Sequence, residues 1–102
     1  MSLHAKLLAR EASGNPVRVG LIGAGKFGSM YLAQVPRTPG VHLAAVADLS
    51  PGAARRNLER VGWPAERAAA RNLEEAISNR TTWVTDDWQA MLADERIDVV
   101  VE

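Results

Sequence analysis

Gly23-Ala24-Gly25-Lys26-Phe27-Gly28 is the stretch of this chain whose residue types and spacing could do chemistry. Three glycines in the pattern G-x-G-x-x-G suit a backbone that must turn tightly and let an anionic group come close. Gly23 permits the turn, Gly25 keeps a side chain out of the approach path, and Gly28 lets a following helix pack closely on a sheet. The first turn of that helix would offer unpaired N–H groups and the positive end of its dipole to phosphate oxygens. Twenty residues past Gly28 stands Asp48, a carboxylate able to accept hydrogen bonds from paired ribose hydroxyls. Glycine loop and spaced acid together suit a dinucleotide held by its pyrophosphate and its adenosine ribose.

The cofactor reads as NAD or NADP. An acid at position 48 repels a 2′-phosphate and so favours NAD. Arg55 and Arg56 pull the other way, because they fall early in the next expected helix and could reach a 2′-phosphate if the local loop turned towards them. Lys26 either adds positive charge near the phosphates or is simply solvated, the second being favoured. The candidate cofactor-binding set is therefore Gly23, Gly25, Lys26, Phe27, Gly28, Asp48 and Arg55. Trp83 and Asp86 could border an adenine pocket, although core packing and helix capping suit them better. Trp63 and Trp88 read as packing residues.

Other chemistry is poorly represented. His4 and His42 have no ligand spacing and no partner nearby in sequence. There is no Ser-His-Asp arrangement, no pair of carboxylates and no metal-ligand cluster, so no metal is expected and no catalytic residue can be named. The absence of cysteine removes disulfides, thiolate zinc sites and cysteine nucleophiles.

The elements that must position the glycine loop are legible on both sides of it. Val17-Arg18-Val19-Gly20-Leu21-Ile22 is apolar apart from Arg18, as a parallel strand covered on both faces should be. The segment after the loop reads as a helix whose sheet-facing stripe is Phe27, Met30 and Tyr31, at i, i+3 and i+4. Pro36, Pro39 and Gly40 end it. Val41 to Ala47 forms a second strand, and Ser50-Pro51 starts a helix, with the hydroxyl as cap and proline in the first turn, running to about Arg60. Gly62-Trp63-Pro64 closes that helix. Residues 65–80 suggest one further helix beyond the minimal fold, Thr81 to Thr85 a third strand, and Ile97 to Val101 a fourth. Asp86 followed by Gln89 makes a capping-box pattern for a short helix through about Ala93. Before all of this, residues 3–13 favour a helix with Leu3, Leu7 and Leu8 on one side, stopped by Gly14-Asn15-Pro16.

Alternating strands and helices predict an α/β fold, a Rossmann-type parallel sheet in the order 3-2-1-4 with helices on both faces. The sheet is expected to be truncated after the fourth strand. Residues 1–15 are expected to be an N-terminal helical arm, packed on its own subunit or on a neighbour in a homo-oligomer. Residues 16–102 are expected to be the N-terminal half of an NAD(P)-binding domain.

Bulk composition agrees with a globular protein. Of 102 residues, 47% are apolar and 24% charged, and the formal net charge is zero. That balance gives no electrostatic case for nucleic acid or a membrane surface. With no apolar run long enough for a span and no signal-peptide core, a cytoplasmic protein is the expectation.

The stretch from Arg18 through Gly28 to Met30 resembles the start of oxidoreductases in the homoserine dehydrogenase-like group, most closely the members with a C-terminal SAF domain, among them deoxyxylulose-phosphate reductoisomerase-like enzymes. Val46-Ala47-Asp48-Leu49-Ser50 and Ile97-Asp98-Val99-Val100-Val101-Glu102 look like that group's second and fourth strands. The sharpest motif is shared with many dinucleotide enzymes, including the Gfo/Idh/MocA oxidoreductases, which give the alternative reading as a sugar dehydrogenase. A non-catalytic nucleotide-sensing module is the rival from another class. The resemblance implies an NAD(P)-dependent dehydrogenase or reductase that holds its dinucleotide for hydride transfer. It also implies that catalytic residues and the small-molecule substrate belong to a domain past the fourth strand, so the 102-residue chain alone is expected to be inactive.

Overall fold

A computed structural model describes residues 2–23 and 38–101. Its centre is a four-stranded sheet in the order β3-β2-β1-β4, made of β1 (Val17–Ile22), β2 (Val41–Ala47), β3 (Trp83–Thr85) and β4 (Val99–Val101). Every neighbouring pair is parallel. This is the 3-2-1-4 arrangement expected from the sequence. β1 and β2 take their expected bounds, while β3 and β4 begin two residues later than the apolar runs suggested.

The helices among the described residues are α1 (Leu3–Ala12), α2 (Pro51–Arg60), α3 (Leu73–Asn79) and α4 (Trp88–Ala93). Ser50 caps α2 as expected, its Oγ accepting from the Ala53 N–H at 3.4 Å, with Pro51 in the first turn. The segment 65–80 divides where one helix was expected. A 3-10 turn (Ala65–Ala68) leads to Ala70, which bridges to Trp83, and α3 then starts afresh with the Asn72 side chain accepting from the Glu75 N–H at 2.8 Å. Asn72 supplies the stronger helix start, because its carbonyl oxygen satisfies a first-turn donor that the preceding alanines cannot. For α4 the cap is Asp87, which accepts from Ala90 N–H at 3.0 Å, rather than Asp86.

The core lies on both faces of the sheet. On one face Val19, Leu21, Leu43, Val46 and Val84 pack with Ala54 and Leu58 of α2, and with Trp63 and Ala68 beyond it. On the other, Ala44, Ala45 and Ala47 meet Leu73 of α3 and Met91 of α4. Two successive residues, Ala44 and Ala45, share a face because the β1–β2 register shifts between Val19 and Gly20, leaving an extra residue on β2. Small residues on this face admit the helices closely. A Cβ on Gly20 would stand 2.9 Å from the Met91 sulfur, so the absence of a side chain there makes the room that fully buried Met91 fills. Burial of each such large side chain contributes roughly 1.5–3 kcal/mol. Trp63 is a packing residue as expected, whereas Trp88 is about half exposed and packs little.

α1 departs from the simple amphipathic reading. It buries no residue, and Leu3 and Leu8 face outwards. Its Glu11 carboxylate instead ties it to the N-terminal edge of the sheet. Both Glu11 oxygens accept from the Arg80 guanidinium at 2.9 Å, and one also accepts from the Gly40 N–H at 3.0 Å. Gly40 has φ +78°, and the Leu7 backbone carbonyl occupies the space a Cβ would need there.

Candidate dinucleotide edge of the sheet

The C-terminal ends of β1 and β2 bring Gly23 and Asp48 to one edge of the sheet. The Gly23 N–H donates to the Ala47 carbonyl at 2.8 Å, and the Asp48 N–H to the Thr85 carbonyl at 2.9 Å. These bonds extend the ladder past the last strand residues and fix both ends in register. Gly23 has φ +81°, a left-handed conformation that favours glycine and turns the chain sharply out of β1. Gly25, Lys26, Phe27 and Gly28 lie outside the described residues, as does the expected helix stripe of Met30 and Tyr31.

Asp48 is partly exposed. Its Oδ1 accepts from the Ser50 N–H at 2.9 Å, closing a short turn between β2 and α2. Its Oδ2 has no hydrogen bond among the described residues. A carboxylate held by one oxygen and, among the described residues, open at the other, at the end of the second strand and beside a sharply turning glycine, is an acceptor that fits a ribose diol. Asp48 therefore also has a structural role, but Ser50 does the helix capping, so the second oxygen is not needed for it.

The two arginines separate. One Arg55 amino group donates to the Val84 carbonyl of β3 at 3.5 Å, and Arg55 lines a surface depression with Leu58, Trp63 and Ala68, on the side where α2 meets the 3-10 turn. Arg56 instead folds back along α2, its guanidinium 3.5 Å from where a Cβ on Gly52 would be. Arg56 thus lies along the first turn of α2, four residues past Gly52. Sequence pattern alone ranked Arg55 with the binding set; the fold turns Arg55 towards β3 and Arg56 towards the start of the helix.

The remaining titratable groups at this edge are accounted for or solvated. Asp87 caps α4, Asp86 is exposed, and Trp83 packs on the alanine face. Among the described residues there is no cluster of side chains able to hold a metal ion. His42 is at the opposite edge, buried, with its Nε2 2.6 Å from the Thr81 carbonyl.

Residues 17–101 match the Gfo/Idh/MocA family, described as an oxidoreductase family with an NAD-binding Rossmann fold. The chain belongs to that family. The match covers the sheet, the glycine loop and Asp48, and shows an NAD(P)-binding Rossmann domain of an oxidoreductase family. Of the two enzyme readings, it falls on the Gfo/Idh/MocA alternative rather than on the homoserine dehydrogenase-like group with a SAF domain. No curated protein matches the chain. No helix among the described residues is long and apolar enough to cross a membrane.

Proposed function

We propose that this chain is the dinucleotide-holding part of a Gfo/Idh/MocA-type sugar dehydrogenase. The observation that carries the site assignment is the Asp48 carboxylate, anchored through Oδ1 and, among the described residues, open at Oδ2, at the end of β2 beside Gly23. The loop Gly23-Ala24-Gly25-Lys26-Phe27-Gly28 takes the pyrophosphate on its backbone, and Asp48 Oδ2 accepts from a ribose hydroxyl. Arg56 is the better placed of the two arginines to meet a 2′-phosphate, so the chain accepts NADP but prefers NAD. The bound nicotinamide supplies hydride chemistry, while these residues bind and orient the cofactor. The acid–base group and the substrate pocket belong to residues other than the described ones. Homoserine dehydrogenase-like activity is the second reading, favoured by the Lys26-Phe27-Gly28-Ser29-Met30 run and by the insert at 65–80.

Calorimetric titration with NAD and NADP tests the site. Gly25→Val is expected to abolish binding of both, because a branched side chain blocks the pyrophosphate path. Unchanged affinity in that variant would sink the assignment. Steady-state reduction of NAD by the protein at its natural length, with polyols and sugars set against homoserine, separates the two enzyme readings.

A further inference from the structure

A second concavity lies at the other end of the sheet. Near the N-terminal ends of β2 and β3, Val41, Leu43, Trp63, Arg67, Arg80 and Thr82 line a half-open cavity of about 180 Å³, with His42 also on its wall. A second depression of about 260 Å³ adjoins it and shares Arg67 and Arg80. β2 separates this place from Asp48: seven strand residues span roughly 20 Å. The dinucleotide edge therefore leaves it unused.

The lining chemistry is divided. Val41, Leu43 and the buried Trp63 give one apolar side. Two guanidinium groups give the other. Arg80 is shared with Glu11, but Arg67 has no carboxylate partner among the described residues; its guanidinium lies over the Trp63 ring, 5.7 Å from the centroid. This cation–π contact leaves the guanidinium N–H groups able to donate. The arrangement is rigid where it matters, because the Thr82 N–H donates to the Arg67 carbonyl at 2.7 Å and the Thr82 hydroxyl to the Leu43 carbonyl at 2.6 Å. The buried Thr81 hydroxyl at the rim of the outer depression has no hydrogen-bond partner among the described residues. Glu66 lines only that outer depression and Glu11 offsets the charge of Arg80, so the positive character of the inner cavity comes from Arg67.

We propose that the inner cavity is a binding site for a small organic anion, a carboxylate carrying a short branched apolar tail. The carboxylate lies against Arg67, with Arg80 behind it, and the tail rests on Trp63, Val41 and Leu43. A cavity of about 180 Å³ takes a molecule of this kind. The site is independent of the dinucleotide reading, since it shares no residue with it.

Isobutyrate, isobutyramide and inorganic phosphate are suitable probes, titrated calorimetrically into the protein at its natural length. Isobutyrate is expected to bind saturably, with its neutral amide at least tenfold weaker. Arg67→Gln should weaken isobutyrate by about tenfold or more, the usual cost of losing a charged hydrogen-bond donor, while Arg67→Lys recovers part of the loss. Cooperative thermal unfolding of each variant without probe separates loss of the site from loss of the fold; if Arg67→Gln does not unfold cooperatively, the acid-versus-amide comparison on the unaltered protein decides. Equal binding of acid and amide, or an Arg67→Gln variant that folds and binds isobutyrate normally, overturns the proposal. Phosphate binding as tightly as isobutyrate overturns the role given to the apolar wall.

Discussion

Asp48 has two oxygens, and the described residues use one of them. Oδ1 holds the Ser50 N–H, so an asparagine at this position can keep the turn through its own side-chain carbonyl. What Asp48→Asn loses is the anionic acceptor. NAD affinity is expected to fall roughly tenfold, consistent with a hydrogen bond to a charged group, and NADP affinity to rise as repulsion of the 2′-phosphate disappears. Titration with the two cofactors reads both; a parallel loss of NAD and NADP would place the ribose elsewhere. Gly20 poses a different residue-scale question. Its Cβ would approach Met91 and Ile97 within 2.9 and 3.3 Å, and Met91 is fully buried. Gly20→Val should cost about 1–3 kcal/mol through overpacking, read as a lower urea midpoint, and Met91→Ala in the same chain should recover part of it. The chemistry of Asp48 could be read from its spacing to the glycines. The role of Gly20 could not, because it depends on a methionine seventy-one residues away.

Elements whose signals are local agree with their sequence; those that depend on partners do not. β1 and β2 carry continuous apolar runs bounded by turn residues, and both take the predicted bounds. The insert at 65–80 divides although its alanines favour a single helix, because the bridge from Ala70 to Trp83 is a long-range pairing that outweighs propensity. α1 was given an apolar face, yet its attachment is polar. Arg80 shows why this was hidden: it ends α3 in the left-handed conformation, φ 56°, where glycine is usual, and in that position its side chain reaches back to Glu11. Arg80→Gly should relieve backbone strain at the end of α3 while freeing α1. Two opposite results in one variant are expected: hydrogen exchange in α3 is slowed or unchanged, and exchange in α1 accelerates at least severalfold. If α1 protection survives Arg80→Gly, the ion pair is not what holds the helix.

Acid should act first at the N-terminal edge of the sheet, where His42 and Glu11 both have lowered proton affinity; Asp94 at the end of α4, held below the usual carboxylate range by the Arg96 guanidinium, responds only at lower pH. His42 is held below its usual 6.5, first by burial, against the opposing Thr81 carbonyl, with the Arg80 and Arg18 charges adding to the effect and Glu11 resisting it. The fold thus binds the neutral ring, the unfolded chain takes up the extra proton, and stability falls as pH drops below about 6.5. Glu11 is lowered from 4.5 to about 2, chiefly by the Arg80 hydrogen bonds and then by the Gly40 N–H. Its contribution is present above pH 4.5 and is lost as pH falls towards 2. Two windows follow, the upper belonging to His42 and the lower to the α1 attachment. His42→Gln keeps a donor within reach of the Thr81 carbonyl but has no proton to gain. Urea unfolding measured from pH 7 to pH 5 should therefore show a flatter dependence in His42→Gln than in the parent chain, whereas Glu11→Gln should leave that range unchanged and flatten the dependence only below pH 4.5. Coincident slopes for the parent chain and His42→Gln above pH 5 would remove His42 as the source of the upper window, and with it the account of why the N-terminal edge yields to acid first.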